Sequence, residues 1–231
     1  MTLECAWMKP FVFINAAMSA DGKISTKERK QVKISSSEDF LRVDSLKADS
    51  DAVIVGIGTV LSDDPSLTVK SEENKKRRIK EGKDENPIRI VVDSNARTPK
   101  DSDLLHKGVG KRIIFVSELA PKQRKDVLKN YAEVIVIGKE RVDLREMLFR
   151  LEKIGVNRVM VEGGATLNWS LISQGLVDEI HTYIGNLLIG GKNAPTLVDG
   201  GGFSIKDKIP NLELLDSQKI GDGIVLRWLV K

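Results

Sequence analysis

The chain has 231 residues, of which 41% are hydrophobic and 30% are charged, and its formal net charge at pH 7 is +4. A chain of this length and apolar content buries a substantial core, which excludes general disorder and predicts a single domain over residues 1–231. The single cysteine, Cys5, excludes an intramolecular disulfide, argues against a cysteine-based zinc site and favours a reducing compartment.

The N-terminus does not have the pattern of a secretory leader, because Glu4 is acidic and no basic-then-apolar run follows it. No apolar stretch approaches the roughly 20 residues that a membrane-spanning helix needs. The sequence therefore predicts a cytoplasmic protein without a membrane partner. The small positive charge favours anionic partners, and a phosphorylated small molecule satisfies it as well as nucleic acid does.

Strands and helices alternate along most of the chain. Apolar, β-branched runs predict strands at residues 11–17, 52–55, 88–92, 112–116, 134–137, 159–161 and 179–184. Helical patterns between them predict helices at residues 35–48, 56–61, 121–131, 143–154 and 165–175. Such alternation is typical of a mostly parallel sheet with helices on both faces.

The first predicted helix begins at a capping box, Ser35-Ser36-Ser37-Glu38, and runs to about Ala48. Its apolar positions Phe40, Val43 and Leu46 share one face of the helix. We therefore expect that face to pack against the sheet.

The segment of residues 70–86 is rich in Lys, Arg and Glu and almost free of apolar residues. This composition predicts a charged loop, at about residues 70–87, or a frayed charged helix. The mixed sign of its charges favours a solvated segment over a nucleic-acid patch.

The last thirty residues have a different pattern. Two apolar runs, Leu212–Ile220 and Ile224–Leu229, flank Gly221-Asp222-Gly223, which predicts a β-hairpin. The hairpin is expected to add antiparallel strands at one edge of the sheet. No repeat, low-complexity segment or linker divides the sequence.

The most informative stretch follows the strand at residues 159–161. Glu162, Gly163 and Gly164 come next, and a helical pattern then begins with Ala165 and Thr166. Free backbone N–H groups and the positive end of a helix dipole meet at such a place, which favours a phosphate. On spacing alone, an equal alternative is that the two glycines only form the turn from a strand to a helix and bind no ligand. Glu162 would repel a phosphate, so we expect it to face a second ligand that carries hydrogen-bond donors.

Two other glycine patterns are weaker. Gly56-x-Gly58 begins like a dinucleotide fingerprint, but Leu61 stands where the third glycine is needed. Gly185–Lys192 misses the spacing of a P-loop by one residue, and no Ser or Thr follows the lysine. A glycine-rich loop between two strands is the favoured interpretation.

Two polar pairs have no catalytic pattern of their own. Thr59 and Asp63 are four residues apart and share one side of a short helix, where a solvated helix end is the simpler interpretation. His106 and His181 form no Ser-His-Asp or metal-ligand arrangement, so both are expected to be structural or surface residues.

Four motifs, in the same order along the chain, resemble those of the riboflavin-pathway pyrimidine reductases. Ala17–Lys23 resembles S-x-D-G-K/R, Gly58–Val69 resembles T-V-L-x-D-D-P-x-L-T-V, Val91–Ser94 resembles V-V/L-D-S, and Val161–Gly164 resembles V-E-G-G. The D-D-P-x-L-T-V segment is the specific one, whereas the glycine pair alone is weak. The likeness is to the stand-alone reductases of archaea and fungi. Bacterial relatives add a zinc deaminase, whose H-x-E and P-C-x-x-C signature this sequence does not contain.

The resemblance implies a dihydrofolate-reductase-like fold and a homodimer. It implies NADPH as the cofactor and a phosphorylated pyrimidine as the substrate. The implied reaction reduces the ribosylamino group of 2,5-diamino-6-ribosylamino-4(3H)-pyrimidinone 5′-phosphate to a ribitylamino group, by hydride transfer to C1′ of the ring-opened imine. The substrate still carries its amino group, because stand-alone members reduce the sugar before deamination.

The resemblance also implies the site residues. Positions that match cofactor contacts are Ala17, Thr59, Asp63, Ser94, Gly163, Gly164, Ala165 and Thr166. Positions that match substrate contacts are Lys47, Leu67, Lys70 and Glu162. Both lysines stand where relatives have arginine, which keeps the charge and loses the bidentate fork. Glu162 would accept hydrogen bonds from the pyrimidine amino groups, and no general acid is assigned.

Arg97 is added to the cofactor residues because it lies close to Ser94 at a strand end, where a guanidinium meets the 2′-phosphate of NADPH. An ordinary surface-loop arginine is an equal alternative. With this residue the sequence predicts a preference for NADPH over NADH.

Two rival functions remain open from the sequence. A dihydrofolate reductase would share the fold and NADPH but would need a carboxylate on the first long helix, where Glu38, Asp39 and Asp44 are available. The D-D-P-x-L-T-V match argues against it. A nucleic-acid-binding protein would need clustered Lys and Arg with exposed aromatic residues, and the aromatic content is only 5%.

Overall fold

A computed structural model of the protein describes residues 9–231. Glu4 and Cys5, on which the predictions about a leader and a reducing compartment rest, lie outside the described residues. Within that range, the strands are β1 (Phe11–Met18), β2 (Ala52–Gly56), β3 (Ile88–Val92), β4 (Arg112–Val116), β5 (Glu133–Val136), β6 (Arg158–Val161), β7 (Glu179–Ile184), β8 (Leu212–Ile220) and β9 (Gly223–Val230).

The helices lie between these strands. They are α1 (Ser37–Asp49), α2 (Ile57–Asp63), α3 (Glu72–Lys80), α4 (Asp103–His106), α5 (Lys122–Leu128), α6 (Leu144–Lys153) and α7 (Ala165–Ile172). The short helix α4 was not predicted. The predicted helix that was to end at Gly175 ends at Ile172, and Gly175 lies in the following turn with a φ of 66°.

All the strands belong to one sheet, in the order β5-β4-β3-β2-β6-β1-β7-β9-β8. The strands from β5 to β7 run parallel to their neighbours, whereas β9 pairs antiparallel with both β7 and β8. The predicted architecture, a mostly parallel sheet with a C-terminal antiparallel hairpin at one edge, is confirmed.

Side chains that alternate along the parallel strands build a core on each face of the sheet. On one face Ile14, Ile54 and Val161 pack with residues of α6 and α7. On the other face Phe13 and Val55 pack with residues of α2, α4 and α5. Each fully buried apolar side chain contributes roughly 1.5–3 kcal/mol of transfer free energy. Helices therefore cover both faces, as the alternation predicts.

Helix α1 differs from its prediction in its start and in part of its buried face. The N-cap is Ser36, whose Oγ accepts a hydrogen bond from the backbone N–H of Asp39 at 3.2 Å. Val43 and Leu46 pack against the core as predicted, whereas Phe40 is exposed and the side chains of Asp39 and Asp44 are buried. These carboxylates have specific partners, so they tolerate burial better than an unpaired charge would.

The charged segment at residues 70–87 is mainly helical. Ser71 caps the N-terminus of α3, accepting a hydrogen bond from the backbone N–H of Asn74. Arg78 is 3% exposed and donates hydrogen bonds to the carbonyls of Ala48, Ser50 and Asp84 at 2.7–2.8 Å. Of the two predicted alternatives, a charged loop or a charged helix, the structure has the helix, because a single buried arginine anchors it while its other charges face solvent.

Across residues 9–231 the structure contains no helix that is both long and apolar enough to cross a bilayer.

Candidate active site

The predicted site residues converge at one edge of the sheet. Four neighbouring parallel strands, β3, β2, β6 and β1, end there at Val92, Gly56, Val161 and Met18. The carboxyl ends of parallel strands are where α/β proteins bind ligands, because the loops that follow them diverge and leave a crevice. Every predicted cofactor residue lies on one of these strand ends or on the loop or helix that follows it.

The glycine pair after β6 forms the centre of this edge. Gly163 and Gly164 have φ values of 97° and 35°, a region that residues with a Cβ rarely adopt. The backbone N–H of Gly56 donates to the carbonyl of Gly163 at 2.9 Å, and the N–H of Gly164 donates to Oγ1 of Thr59 at 3.1 Å. The sequence therefore needs glycine here to join the ends of β2 and β6 at close range.

This corner leaves the start of a helix open. Helix α7 begins at Ala165, and its N-cap residue Gly164 has no side chain with which to occupy the first N–H groups of the helix. A Cβ built on Gly164 would stand 3.3 Å from Oγ1 of Thr59, whereas one on Gly163 would meet open space. The space and the uncapped helix end together suit an anion.

Helix α2 brings Thr59 and Asp63 to the same edge. Thr59 is half-buried against the glycine corner, while Asp63 is the exposed last residue of the helix. The helix ends at Asp64, whose φ is 43° and whose carboxylate accepts the backbone N–H of Asp103 at 2.8 Å. The bond from Asp103 to Asp64 therefore anchors the C-terminal end of α2, next to the exposed side chain of Asp63.

The loop after β3 presents Ser94 and Arg97. The fully buried carboxylate of Asp93 holds this loop by accepting the N–H and the hydroxyl of Thr98 at 2.7 and 2.8 Å. Oγ of Ser94 accepts the backbone N–H of Val142 at 3.1 Å, so its own proton remains available for a further bond. The side chain of Arg97 is 47% exposed, and its Nε lies 3.9 Å from Asp93. Arg97 therefore keeps an open guanidinium at the rim.

Lys47 and Glu162 form an ion pair that the sequence did not predict. Nζ of Lys47 lies 2.9 Å from Oε1 of Glu162, and the two side chains are 16% and 15% exposed. The contact does not have the angular geometry of a hydrogen bond, since Oε1 of Glu162 has no hydrogen-bond partner. Two residues that were predicted to bind different ends of the substrate thus neutralise each other in this conformation.

Lys70 supplies a second cation beside Lys47. Its Nζ donates to Oγ of Ser66 and to Oγ1 of Thr68, both at 2.8 Å. Partial burial, and then the nearby positive charge of Lys47, lower the pKa of Lys70 below its ordinary value. Leu67 holds this segment in a turn with a φ of 54° and is itself 2% exposed. Two neighbouring cations at this edge make a place where an anion is favoured.

Asp44 was missed as a support of this site. Its carboxylate accepts the backbone N–H groups of Lys70 and Ser71 and the side-chain amide of Asn74. It therefore fixes the segment that carries Lys70 against α1. Its partners lie about thirty residues further along the chain, so no local pattern in the sequence indicates this role, and only its position on α1 made it a candidate.

The carboxylates that a dihydrofolate reductase would use are already engaged. Asp39 is 1% exposed and accepts hydrogen bonds from Ser35 and from Nε of Arg42, at 2.5 and 2.7 Å. Asp44 has the three donors described above, and Glu38 faces solvent. None of the three is a free carboxylate inside the cleft, which argues against that rival.

Comparison with known protein families gives a match over most of the chain. Residues 10–226 match the family model described as the RibD C-terminal domain. A protein of Archaeoglobus fulgidus named 2,5-diamino-6-ribosylamino-4(3H)-pyrimidinone 5′-phosphate reductase is 49% identical, and the aligned region covers 95% of this chain and 97% of that protein. A protein of Methanothermobacter thermautotrophicus with the same name is 44% identical over 97% of this chain and all of that protein.

Solved structures give the same fold. RibD of Acinetobacter baumannii superposes with a TM-score of 0.78 at 24% sequence identity, and the match covers 96% of this chain. The chain spans 58% of that longer protein. The predicted fold, of the dihydrofolate-reductase type seen in such reductases, is confirmed.

Proposed function

Because the chain belongs to the RibD C-terminal domain family, we propose that it reduces 2,5-diamino-6-ribosylamino-4(3H)-pyrimidinone 5′-phosphate to the ribitylamino product. The family predicted from the four motifs is confirmed, and it is a family of oxidoreductases of riboflavin biosynthesis. The observation that carries the proposal is the uncapped glycine corner at Gly163 and Gly164, which lies beside the carboxylate of Glu162 and the cations of Lys47 and Lys70.

NADPH is the proposed cofactor. When bound, it supplies the hydride that reduces C1′ of the ring-opened sugar. The N–H groups of Ala165 and Thr166 would hold its diphosphate at the start of α7, with Gly163 and Gly164 leaving room for it. Ala17 would supply backbone contacts at the end of β1.

The remaining cofactor residues lie on the loops that follow β2 and β3. Thr59 and Asp63 would bind from α2, while Ser94 would donate its free hydroxyl proton. Arg97 would meet the 2′-phosphate with its exposed guanidinium, because a delocalised cation pairs well with a phosphate. This contact is the proposed source of a preference for NADPH over NADH.

The substrate is proposed to bind on the α1 side of the same edge. Lys47 and Lys70 would hold its phosphate, Leu67 would pack against it, and Glu162 would accept hydrogen bonds from the pyrimidine amino groups. Binding would then exchange the ion pair between Lys47 and Glu162 for two bonds to the substrate. The exchange keeps both buried charges paired, since an unpaired buried charge is costly.

The protein is proposed to act as a single reductase domain over residues 1–231, in the cytoplasm and as a homodimer. Three leucines of β8, at positions 212, 214 and 215, are between 43% and 49% exposed. An open edge strand with exposed apolar side chains favours a partner sheet. Light scattering at micromolar concentration tests the dimer: twice the chain mass of 25.6 kDa is expected, and a monomer mass contradicts it.

The test of the proposed function is NADPH oxidation with the aminated and the deaminated ribosylamino-pyrimidine phosphates, assayed side by side with dihydrofolate. We expect turnover with the aminated pyrimidine, a lower catalytic efficiency with the deaminated one and none with dihydrofolate. Turnover of dihydrofolate alone would establish the rival function.

A further inference from the structure

Residues 19–23 form the turn that follows β1 and bond to one another. The N–H of Ser19 donates to the carbonyl of Lys23 at 2.8 Å, and the N–H of Gly22, with a φ of 80°, donates to the carbonyl of Ser19 at 2.9 Å. The fully buried hydroxyl of Ser19 donates to Oδ1 of Asp21 at 2.6 Å and accepts the N–H of Lys23 at 2.9 Å. This turn begins two residues after Ala17, the proposed neighbour of the nicotinamide.

Asp21 ties this turn to the loop that follows β7. Its Oδ1 accepts the backbone N–H of Ile189 at 3.0 Å, and its Oδ2 accepts the N–H of Gly190 at 2.7 Å. The N–H of Ala20 donates to the carbonyl of Leu187 at 2.9 Å. The bond from Ser19 and these backbone bonds lower the pKa of the Asp21 carboxyl to about 2. The group is therefore ionised at neutral pH, and charge-assisted bonds join the two loops.

The loop after β7 continues to the other end of the proposed cofactor site. The N–H of Ile24 donates to the carbonyl of Pro195 at 3.0 Å. Further on, the N–H of Asp199 donates to the carbonyl of Ala165 at 3.2 Å, and Nδ2 of Asn168 donates to the carbonyl of Leu197 at 2.8 Å. One loop, residues 187–199, thus bonds both the turn after Ala17 and the first turns of α7.

We propose that Asp21 is a positioning residue for hydride transfer: by bonding the loop of residues 187–199, it fixes the end of β1 relative to the N-terminus of α7. The inference rests on the proposed function, in which these two places hold the nicotinamide and the diphosphate. Hydride transfer requires the two carbons at near-contact, and a misplacement of 1 Å costs on the order of a hundredfold in rate.

If Asp21 had only a structural role, its substitution would lower kcat no more than a comparable substitution elsewhere in the fold. Asp21 is exposed, so losing its bonds costs little folding stability, comparable to other surface interactions. Asp51 offers a matched control at the opposite edge of the sheet. Its Oδ2 also accepts two successive backbone N–H groups, those of Asn157 and Arg158, both at 3.0 Å. Its Oδ1 also accepts from Nζ of Lys83 at 3.0 Å. Both carboxylates therefore join two successive backbone N–H groups to a distant segment, but Asp51 lies at the edge of the sheet away from the cofactor site.

The test compares Asp21→Asn with Asp51→Asn in the full-length protein. In Asp21→Asn an NH₂ group replaces one of two oxygens that each accept a backbone N–H, whereas in Asp51→Asn it replaces the oxygen that accepts from Lys83. We expect Asp21→Asn to lower kcat at least about tenfold while NADPH affinity, measured by fluorescence, changes less than about threefold. The isotope effect on kcat with C4-deuterated NADPH should rise, because hydride transfer becomes the slow step. Asp51→Asn should keep the kcat and the isotope effect of the wild type.

A second variant keeps the inference testable if Asp21→Asn does not fold. Ser19→Ala removes the hydroxyl that donates to Asp21 and accepts the N–H of Lys23, and it should lower kcat in the same direction by a smaller factor. A kcat of Asp21→Asn that falls no more than that of Asp51→Asn, with an unchanged isotope effect, overturns the inference. Wild-type turnover in the same assay tests the proposed function separately, so the two failures are distinguishable.

Discussion

At the scale of single residues, the ion pair between Lys47 and Glu162 makes each residue's contribution depend on the other. In the structure the pair is 2.9 Å apart and mostly buried. A substrate that bonds both residues must separate them, and a fragment that bonds only one of them leaves the other charge unpaired. The site should therefore favour the complete substrate over its parts.

Glu162→Gln tests this coupling. The amide would present an NH₂ group to an amino group of the pyrimidine, and losing a charge-assisted bond costs about 2–3 kcal/mol, or roughly 30- to 150-fold in catalytic efficiency. NADPH affinity should not fall. Ribose 5-phosphate should bind the variant at least as tightly as the wild type, because Lys47 has lost its partner.

Glu146→Gln is the matched control, since Glu146 pairs with Arg150 on the surface of α6. It should leave all three measurements unchanged. Loss of NADPH binding in Glu162→Gln, with an unchanged efficiency for the pyrimidine, would assign Glu162 to the cofactor instead.

Arg97→Ala tests the source of cofactor preference. Removing the exposed guanidinium should raise the KM for NADPH about tenfold and leave the KM for NADH unchanged, because only NADPH carries the 2′-phosphate. Arg150→Ala, on the surface of α6, should change neither value. Equal effects of Arg97→Ala on both cofactors would make Arg97 an ordinary loop residue.

At the scale of elements, the sequence predicts what local patterns encode. The parallel strands have continuous β-branched runs, which predict buried strands. The corner after β6 has glycines, which adopt positive φ values that other residues rarely adopt. The sequence left α3 open between a loop and a charged helix, because its anchor Arg78 bonds carbonyls of Ala48 and Ser50 that are 28 or more residues away. The burial of Asp44 on α1 was not predictable for the same reason, because its partners Lys70 and Ser71 are distant in the sequence.

Arg78→Met measures the strength of that anchor. The variant leaves the carbonyls of Ala48, Ser50 and Asp84 without their donor, so the free energy of unfolding should fall by about 3 kcal/mol. Arg77→Met is the neighbouring control, because Arg77 pairs with Asp49 on the surface, where a salt bridge contributes less than about 1 kcal/mol. Urea unfolding of both variants provides the comparison, and equal losses would contradict the account of α3.

At the scale of the whole molecule, a buried histidine links stability to pH. His181 is 2% exposed, its ring centroid lies 4.9 Å from that of Phe13, and its Nε2 is 2.7 Å from the carboxylate of Glu179. Burial lowers the pKa of His181 below 6.5, although Glu179 acts in the opposite direction. The neutral ring therefore donates its Nε2 proton to the carboxylate. The sequence predicted a structural or surface histidine, and the structure makes it structural.

The folded protein consequently binds fewer protons at His181 than the unfolded chain does. The stability that His181 contributes is complete above pH 6.5 and is lost as the pH falls through the lowered pKa, at most about 1.4 kcal/mol per pH unit. Glu179 titrates in a separate window, because its own pKa is lowered below 4.5. Urea unfolding at pH 7.5, 6.5 and 5.5 should show a smaller pH slope for His181→Gln than for the wild type, and parallel slopes would contradict this assignment.

The central claim is that the carboxyl edge of the sheet brings a nicotinamide to C1′ of an aminated ribosylamino-pyrimidine phosphate. The most direct measurement is the fate of the hydride. The protein is incubated with the aminated substrate and, separately, with each C4-deuterated epimer of NADPH, and the product is analysed by mass spectrometry and NMR. We expect one epimer to deliver a single deuterium to C1′ of the ribitylamino product. A product without deuterium from either epimer, or with deuterium at another carbon, would contradict the account.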